Sequence, residues 1–517
     1  MGTAKIHRVS PARAFEPTAE QRAILDAVRH DKRSIMIRAY AGAAKTTTLE
    51  LIAKALPPSV PVLYLVFNAK NKKEAEERMP SQVTVMTMNG LGHRAFGRGI
   101  QKSLKLDDRK LGRIVTATAK ATAQELDTEQ WSSIRALVTK AMQVGIIPTA
   151  ANRPGLIPDT NENWESLRED ATPDATAVSL AHTVLWESIK EAFTGTISFD
   201  DQIYCSALLG GAFPRFPLVM VDEAQDQSRL NAIMIRRCAA DRLIIVGDEK
   251  QAIYAWRGAD GNSMTNLKAL RTQWIELPLA TTFRCAKIVV ARNAAHAPGF
   301  TAWGTNPDGC FRTLPNENCT TWNWHHVSQS LRPESTCAIL CRNNAPLLSL
   351  AFKLIRAGIG VQVAGREIGK GLVALSKKLD KDDGVKLSEH MRSIEAWRDK
   401  EIALSEANDT PQKTEGIHDR AECLLAVARN IPPTFTAGDL RGKLTEIFER
   451  DRGILLSSIH RAKGLEWDCV VHLDPWRIPS KYAKGEAIAQ EHNLKYVCET
   501  RAKHTLIEAS LEDYSND

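Results

Sequence analysis

The chain has 517 residues, 43% of them hydrophobic and 25% charged, an ordinary globular mixture that excludes fibrous and wholly disordered classes. That length is enough for about three or four domains at roughly 150 residues each. The 68 Lys+Arg exceed the 61 Asp+Glu, for a net charge of +7, a mild bias that suits a polyanionic partner.

No apolar run approaches the roughly 20 residues that a membrane helix needs, and the opening segment MGTAKIHRVSPARAF lacks the apolar core of a signal peptide. A soluble cytoplasmic protein is the expectation, with no membrane partner. Ten cysteines are scattered without CxxC pairs, which argues against zinc or redox sites. Cys337 and Cys341, flanking the apolar run AIL, read as buried free thiols.

In chain order, SIMIR (34–38) predicts a buried strand and runs into AYAGAAKTTTLELIAKAL. A strand, a small-residue loop, Lys-Thr and a helix follow in the order of a Walker A phosphate loop. Ala41, Gly42, Ala43, Ala44 and Thr47 would cradle phosphate together with Lys45 and Thr46. Lys45 would neutralise the β- and γ-phosphates, Thr46 would hold Mg²⁺, and the helix would present its N-terminus to the anion. In the pattern GxxxxGKT, Ala39 and Ala44 stand where glycines are usual. A methyl group at Ala44 would crowd the phosphate or strain the turn.

VLYLVF (62–67) predicts the next strand, and residues 95–196, rich in Ala, Lys, Glu and Gln with Leu, Ile and Val at helical spacing, predict an inserted helical subdomain. LVMVD (218–222) then ends a strand on Asp222 and Glu223. Asp222 would bind Mg²⁺ through water and Glu223 would orient or deprotonate the attacking water. LIIVGD (243–248) closes the first series, and CAILCR (337–342), VQVAG (361–365), ILLSSI (454–459) and CVVHLD (469–474) form a second. Such runs are the signature of buried parallel strands, so the fold class is α/β with two parallel sheets. Residues 375–452 predict a second, small, charged helical insertion.

From Thr18 to Leu506 the motif order resembles that of the UvrD/Rep-type superfamily 1 helicases, in particular the small Fbh1-like and phage-type members. Thr18-Ala-Glu-Gln21 resembles the family's Q motif, AGAAKT motif I, VFNAK (66–70) motif Ia and TMNGLGHRAF (87–96) motif Ib. DEAQD (222–226) resembles motif II, GDEKQAIYAWRGAD (247–260) motif III, and TTFRC (281–285) motif IV. SSIHRAKGLEW (458–467) and EHNLKYVCETRAK (491–503) resemble motifs V and VI.

The resemblance implies two RecA-like P-loop domains, residues 1–94 with 197–264 and residues 265–374 with 453–517, carrying the insertions at 95–196 and 375–452. It implies ATP and Mg²⁺, with Gln21 reading adenine and Phe283 stacking on it in place of the usual Tyr. Arg284 and Arg501 would be arginine fingers, Gln251 a γ-phosphate sensor, and Glu466 a contact on the ribose side. Phe67, Tyr254 and Trp256 would stack on bases, with Arg257, Asn89, His93 and His460 as polar contacts. The pair Asp200-Asp201 also matches a recurring family segment, and is read as structural because carboxylates so far upstream have no defined catalytic role.

The implied activity is an ATP-dependent DNA helicase moving 3′ to 5′ on single-stranded DNA and at single-strand/duplex junctions, in a phage- or bacterium-type nucleoid-associated protein. The reduced second insertion puts unwinding strength in question. Two other readings stay open: a translocase that strips proteins from DNA or drives a larger repair or defence complex, and a non-hydrolysing nucleic-acid-binding module. RNA also stays open as the track, because stacking and phosphate contacts do not inspect the 2′-hydroxyl.

Overall fold

A computed structural model describes residues 16–148, 156–253, 263–314, 336–408 and 410–511. Twelve strands form its two large sheets. The first holds β1 (Ser34–Ala39), β2 (Val62–Val66), β3 (Val83–Thr87), β4 (Phe216–Val221), β5 (Ala239–Gly247) and β6 (Trp274–Leu279), in the order β3-β2-β4-β5-β1-β6. The second holds β7 (Cys310–Thr313), β8 (Cys337–Cys341), β9 (Val361–Val363), β10 (Ile454–Ser458), β11 (Trp467–Leu473) and β12 (Ala502–Ala509), in the order β7-β12-β11-β8-β10-β9. Every pairing within both sheets is parallel.

Parallel strands are buried on both faces, which is why these segments read as continuous apolar runs. Alternate residues nevertheless serve different layers. Met36, Leu63, Leu65, Val219, Val221, Leu243 and Ile245 pack toward the helical insertion, while Ile35, Ile37, Tyr64, Met220 and Ile244 pack beneath helices Ala19–His30 and Lys45–Ala55. Each fully buried aliphatic side chain of this kind contributes about 1.5–3 kcal/mol.

The first insertion is built from helices Lys110–Ala121, Thr128–Val144, Asn161–Ser166 and Ala175–Thr194. The Asp200-Asp201 pair anchors it: Asp201, fully buried, receives the equally buried Lys110 ammonium at 2.6 Å and the Ser198 N–H at 2.7 Å. The second insertion comprises helices Arg366–Leu379, Leu387–Ala407, Pro411–Ala428 and Ala437–Glu449. It touches the first, since Glu401 accepts the N–H groups of Ala171 and Thr172 at 2.7 and 3.0 Å.

Three expected boundaries shift. β6 completes the first sheet beside β1, so that lobe runs past residue 264. Helices Met88–Ile100 and Arg366–Leu379 run through the expected insertion starts at 95 and 375. Cys337 and Cys341 are free thiols, with Cys341 buried and Cys337 half-buried. Among the described residues no helix is long and apolar enough to cross a membrane.

Candidate active site

The carboxyl ends of β1 and β4 open onto a cleft of about 860 Å³ that both lobes line. From the first lobe come Gly42, Ala43, Ala44, Lys45, Thr46, Thr47, Glu223 and Gln251; from segments leading into or belonging to the second come Phe283, Arg284, Glu466 and Arg501. A crevice outside the carboxyl ends of parallel strands is where ligands bind in open α/β sheets.

The phosphate loop turns from β1 into helix Lys45–Ala55 through two left-handed residues, Gly42 at φ 69° and Ala44 at φ 57°. Gly42 is required twice over, by its left-handed backbone and by the lack of room for a side chain. A Cβ there would lie 2.5 Å from Arg284 Cβ and 2.6 Å from Thr282 Oγ1, and its carbonyl accepts the Phe283 N–H at 2.9 Å. Ala44 has no such excuse: an L-residue in this region costs about 1–2 kcal/mol. The expectation of strain at Ala44 thus acquires a specific cause in the backbone.

Lys45 Nζ lies 2.7 Å from Glu223 Oε2. Burial opposes its protonation, but the carboxylates of Glu223, Asp222 and Asp248 outweigh that and raise its pKa. Burial likewise opposes ionisation of Glu223, yet the Lys45 charge and the Gln225 amide hold its carboxyl low. Asp222 moves the other way, pushed up by burial and by the neighbouring Glu223 charge. Its oxygens accept the Tyr64 hydroxyl at 3.1 Å and the Glu223 N–H at 2.8 Å. Two adjacent carboxylates are thereby driven apart in acidity, the arrangement that separates acid, base and ligand roles.

Across the cleft, Arg284 Nε meets Glu466 Oε2 at 2.5 Å, and Glu466 also pairs with Lys503 at 3.3 Å. Arg501 is 1% exposed. Burial, then the adjacent Arg284, depress its guanidinium pKa to about 10. Its Nη2 reaches Gln251 Oε1 at 3.4 Å, and Gln251 donates to Asp248 at 2.6 Å. Phe283 faces Trp303 with ring centroids 5.3 Å apart.

Gln21 is fixed by its immediate neighbours. Its carbonyl accepts the Thr18 N–H at 3.0 Å, its amide donates to Thr48 Oγ1 at 3.0 Å, and it is fully buried. It closes a capping box at the start of helix Ala19–His30 and braces the phosphate-loop helix.

Of the expected track residues, Phe67 is 53% exposed where β2 ends. Asn89 donates to the Phe199 carbonyl at 3.2 Å and His93 lies 3.4 Å from Gln202. His460 is half-buried on the short helix Ile459–Ala462. Tyr254, Trp256 and Arg257 lie outside the described residues.

Sequence reasoning passed over four residues. Lys463 donates to Asp226 Oδ1 at 2.7 Å and to the Gln251 carbonyl at 2.5 Å, joining the lobes. Lys503 and Arg78 also line the cleft. Phe199, 57% exposed, sits beside Asn89. The signal for Lys463 and Lys503 was their place in HRAKGLEW and ETRAK; Arg78 carried none.

The donor set fits a nucleotide with a divalent ion: a hydroxyl at Thr46, a carboxylate at Asp222, and cations from both lobes for phosphate oxygens.

Comparison with known proteins agrees with this geometry. Residues 20–270 match the UvrD/REP helicase N-terminal domain and residues 389–512 the UvrD-like helicase C-terminal domain. The F-box DNA helicase protein 1 of Schizosaccharomyces pombe is 24% identical over 95% of this chain and 57% of its own length. The ATP-dependent DNA helicase UvrD2 of Mycobacterium tuberculosis is 26% identical over 65% of this chain and 54% of its own. ATP-dependent DNA helicase PcrA of Bacillus subtilis is 27% identical over 33% of the chain and 26% of its own length. The chain spans little more than half the length of the first two of these relatives. With two parallel-sheet lobes facing one cleft and both domain signatures in order, the chain belongs to the UvrD/Rep-type superfamily 1 helicases.

Proposed function

We propose that this chain hydrolyses ATP between its two lobes and uses the cycle to translocate on single-stranded DNA, 3′ to 5′, separating strands at junctions. The observation that carries this is the convergence of Lys45, Thr46 and Glu223 from one lobe with Arg284 and Arg501 from the other on one cleft.

In this reading the nucleotide's phosphates take the Lys45 ammonium from Glu223, freeing that carboxylate to orient the attacking water. Arg284 leaves Glu466 and, with Arg501, stabilises charge on the transferring phosphoryl group. Thr46 and Asp222 would hold Mg²⁺, which neutralises charge on the phosphate oxygens when bound. Phe283 would stack on the base.

Coupling to the track follows from connectivity. Segment 248–252 is tied to the second lobe by Tyr496, Asn493 and Lys463 and leads directly into Tyr254 and Trp256. Movement of one lobe on the other would therefore displace base-stacking aromatics, a population shift driven by nucleotide state. Phe67, Asn89, His93, Arg257 and His460 complete the proposed track.

The second reading, a translocase that displaces bound proteins with little unwinding, is favoured by the small size of the second insertion. Strand displacement on a tailed duplex, run beside protein displacement from single strands, separates the two. Matched DNA and RNA oligonucleotides in an ATPase assay decide the track. Absence of any polynucleotide-stimulated hydrolysis would leave only the binding-module reading.

A further inference from the structure

At the opposite, amino-terminal end of the first sheet's central strands, a concave pocket of about 430 Å³ is lined by Arg215, Ile233, Arg236 and Arg237. Arg215 immediately precedes β4, and Arg236 and Arg237 close helix Arg229–Cys238, which hands on to β5. Asp222 and Glu223 stand at the far end of β4. The six residues of β4 at about 3.3 Å each put the pocket about 20 Å from those carboxylates.

All three arginines are exposed. Among the described residues none of them forms an ion pair with a carboxylate. Arg237 spends one N–H on the Ser206 carbonyl at 3.2 Å and lies over the Phe213 ring at 5.7 Å. Arg271 adds a fourth positive charge, held by the carbonyls of Ala239, Leu270 and Asp241. Its pKa is lowered by burial and by Arg215 and Arg236, with the Asp241 carboxylate opposing. Ending a helix on two arginines is favourable to its dipole, yet it does not explain a third from another element facing the same hollow.

Guanidinium forks match phosphate oxygens bidentately and are less strongly hydrated than ammonium groups. Among the described residues the pocket has no free aromatic face on which a base could stack, Ile233 being the one apolar residue of its lining and the Phe213 ring lying under Arg237. Single-strand platforms combine basic groups with such faces; a contact made of guanidinium groups alone suits a backbone whose bases are already stacked inside a helix.

We propose that Arg215, Arg236 and Arg237 form a second nucleic-acid contact, which grips the phosphates of duplex DNA independently of sequence and away from the translocation track. The contact anchors the motor to the duplex while the cleft works on the single strand. It goes beyond the motor reading, and its test does not depend on hydrolysis.

The test is binding of a blunt DNA duplex to the full chain, without nucleotide, by fluorescence anisotropy across a salt series. Each phosphate contact contributes about 0.9 to the slope of log K against log salt. The variant Arg215→Ala/Arg236→Ala/Arg237→Ala is expected to lose about 2–3 units of that slope and to bind duplex at least about tenfold more weakly. The corresponding triple lysine variant is expected to keep most of the slope. ATPase stimulation by single-stranded oligonucleotide is expected to stay within about twofold of wild type, which also reports that the variant is folded. Equal duplex affinity and equal slope in wild type and alanine variant would overturn the proposal, leaving the cluster to an acidic protein segment. A wild type with no DNA-stimulated ATPase would instead count against the motor reading, with the duplex comparison still valid.

Discussion

The Tyr496 hydroxyl, carried on the second-lobe helix Glu486–Glu499, accepts the N–H of Ala41 in the phosphate loop at 2.9 Å. The same hydroxyl donates to Asp248 at 3.3 Å. One buried group thus ties the second lobe to both the loop that holds phosphate and the strand end that precedes Gln251. Tyr496→Phe keeps the ring and strands the Ala41 N–H and an Asp248 oxygen, an unsatisfied-group cost of about 1–3 kcal/mol. The expected result is a lowered melting temperature and a DNA-stimulated ATPase reduced about tenfold, with single-strand affinity unchanged. An unaltered rate would mean that the contact transmits nothing.

Ala44 holds a left-handed conformation at φ 57°. Ala44→Gly should relieve about 1 kcal/mol of backbone strain, partly offset by the extra freedom glycine gives the unfolded chain. Equal or higher stability with an equal or faster ATPase is expected from thermal melts and steady-state rates. A slower enzyme would indicate that the methyl group packs usefully in the loop.

Asp201 and Lys110 form an ion pair with both side chains fully buried. Removing one partner leaves an uncompensated charge, so Asp201→Ala should cost about 3–5 kcal/mol in urea denaturation. Replacing both, as Lys110→Met with Asp201→Leu, should recover most of that loss. Failure of the double variant to recover would locate the cost in the Ser188 and Ser198 hydrogen bonds instead.

His472 is fully buried on β11, and its ring nitrogens have no hydrogen-bond partner among the described residues. It adjoins Glu499 and Glu508, whose carboxylates both pair with Arg292. Burial, then the charges of Lys495 and Arg292, depress its pKa from 6.5 to about 3. Between those values the unfolded chain binds more protons than the folded one, so stability falls as pH drops below 6.5. At pH 5 the loss is about 2 kcal/mol. His472→Gln, which does not titrate, should flatten the wild-type decline in denaturation midpoint between pH 7 and pH 5 by about that amount. Parallel pH profiles would contradict the assignment.

Much of the site was legible because its chemistry sits where apolar runs stop. Lys45 follows a strand and a small-residue loop, and Asp222-Glu223 ends LVMVD, so local order alone exposed them. Lys463 and Lys503 lie inside the segments SSIHRAKGLEW and EHNLKYVCETRAK, but lysine is the ordinary surface residue, and the folded arrangement is what brings these two to the cleft. Gln21 also obeys a local rule: Thr-x-x-Gln before an apolar run is itself a capping box, and the structure forms it. β6 escaped the strand reading because Pro278 interrupts WIELPL, which an edge strand tolerates. Arg501 was recognisable by its motif, yet its near-complete burial and lowered pKa depend on residues from Arg284 to Tyr496.

The central claim is that the split cleft hydrolyses ATP in response to DNA, and the most direct measurement is steady-state ATPase with and without single-stranded DNA for wild type and Lys45→Ala. Strong stimulation of the wild type is expected, with a drop of at least about 10²-fold in the variant, the variant still folding by thermal melt. Stimulated hydrolysis that survives Lys45→Ala, or a folded wild type that no polynucleotide stimulates, would contradict it.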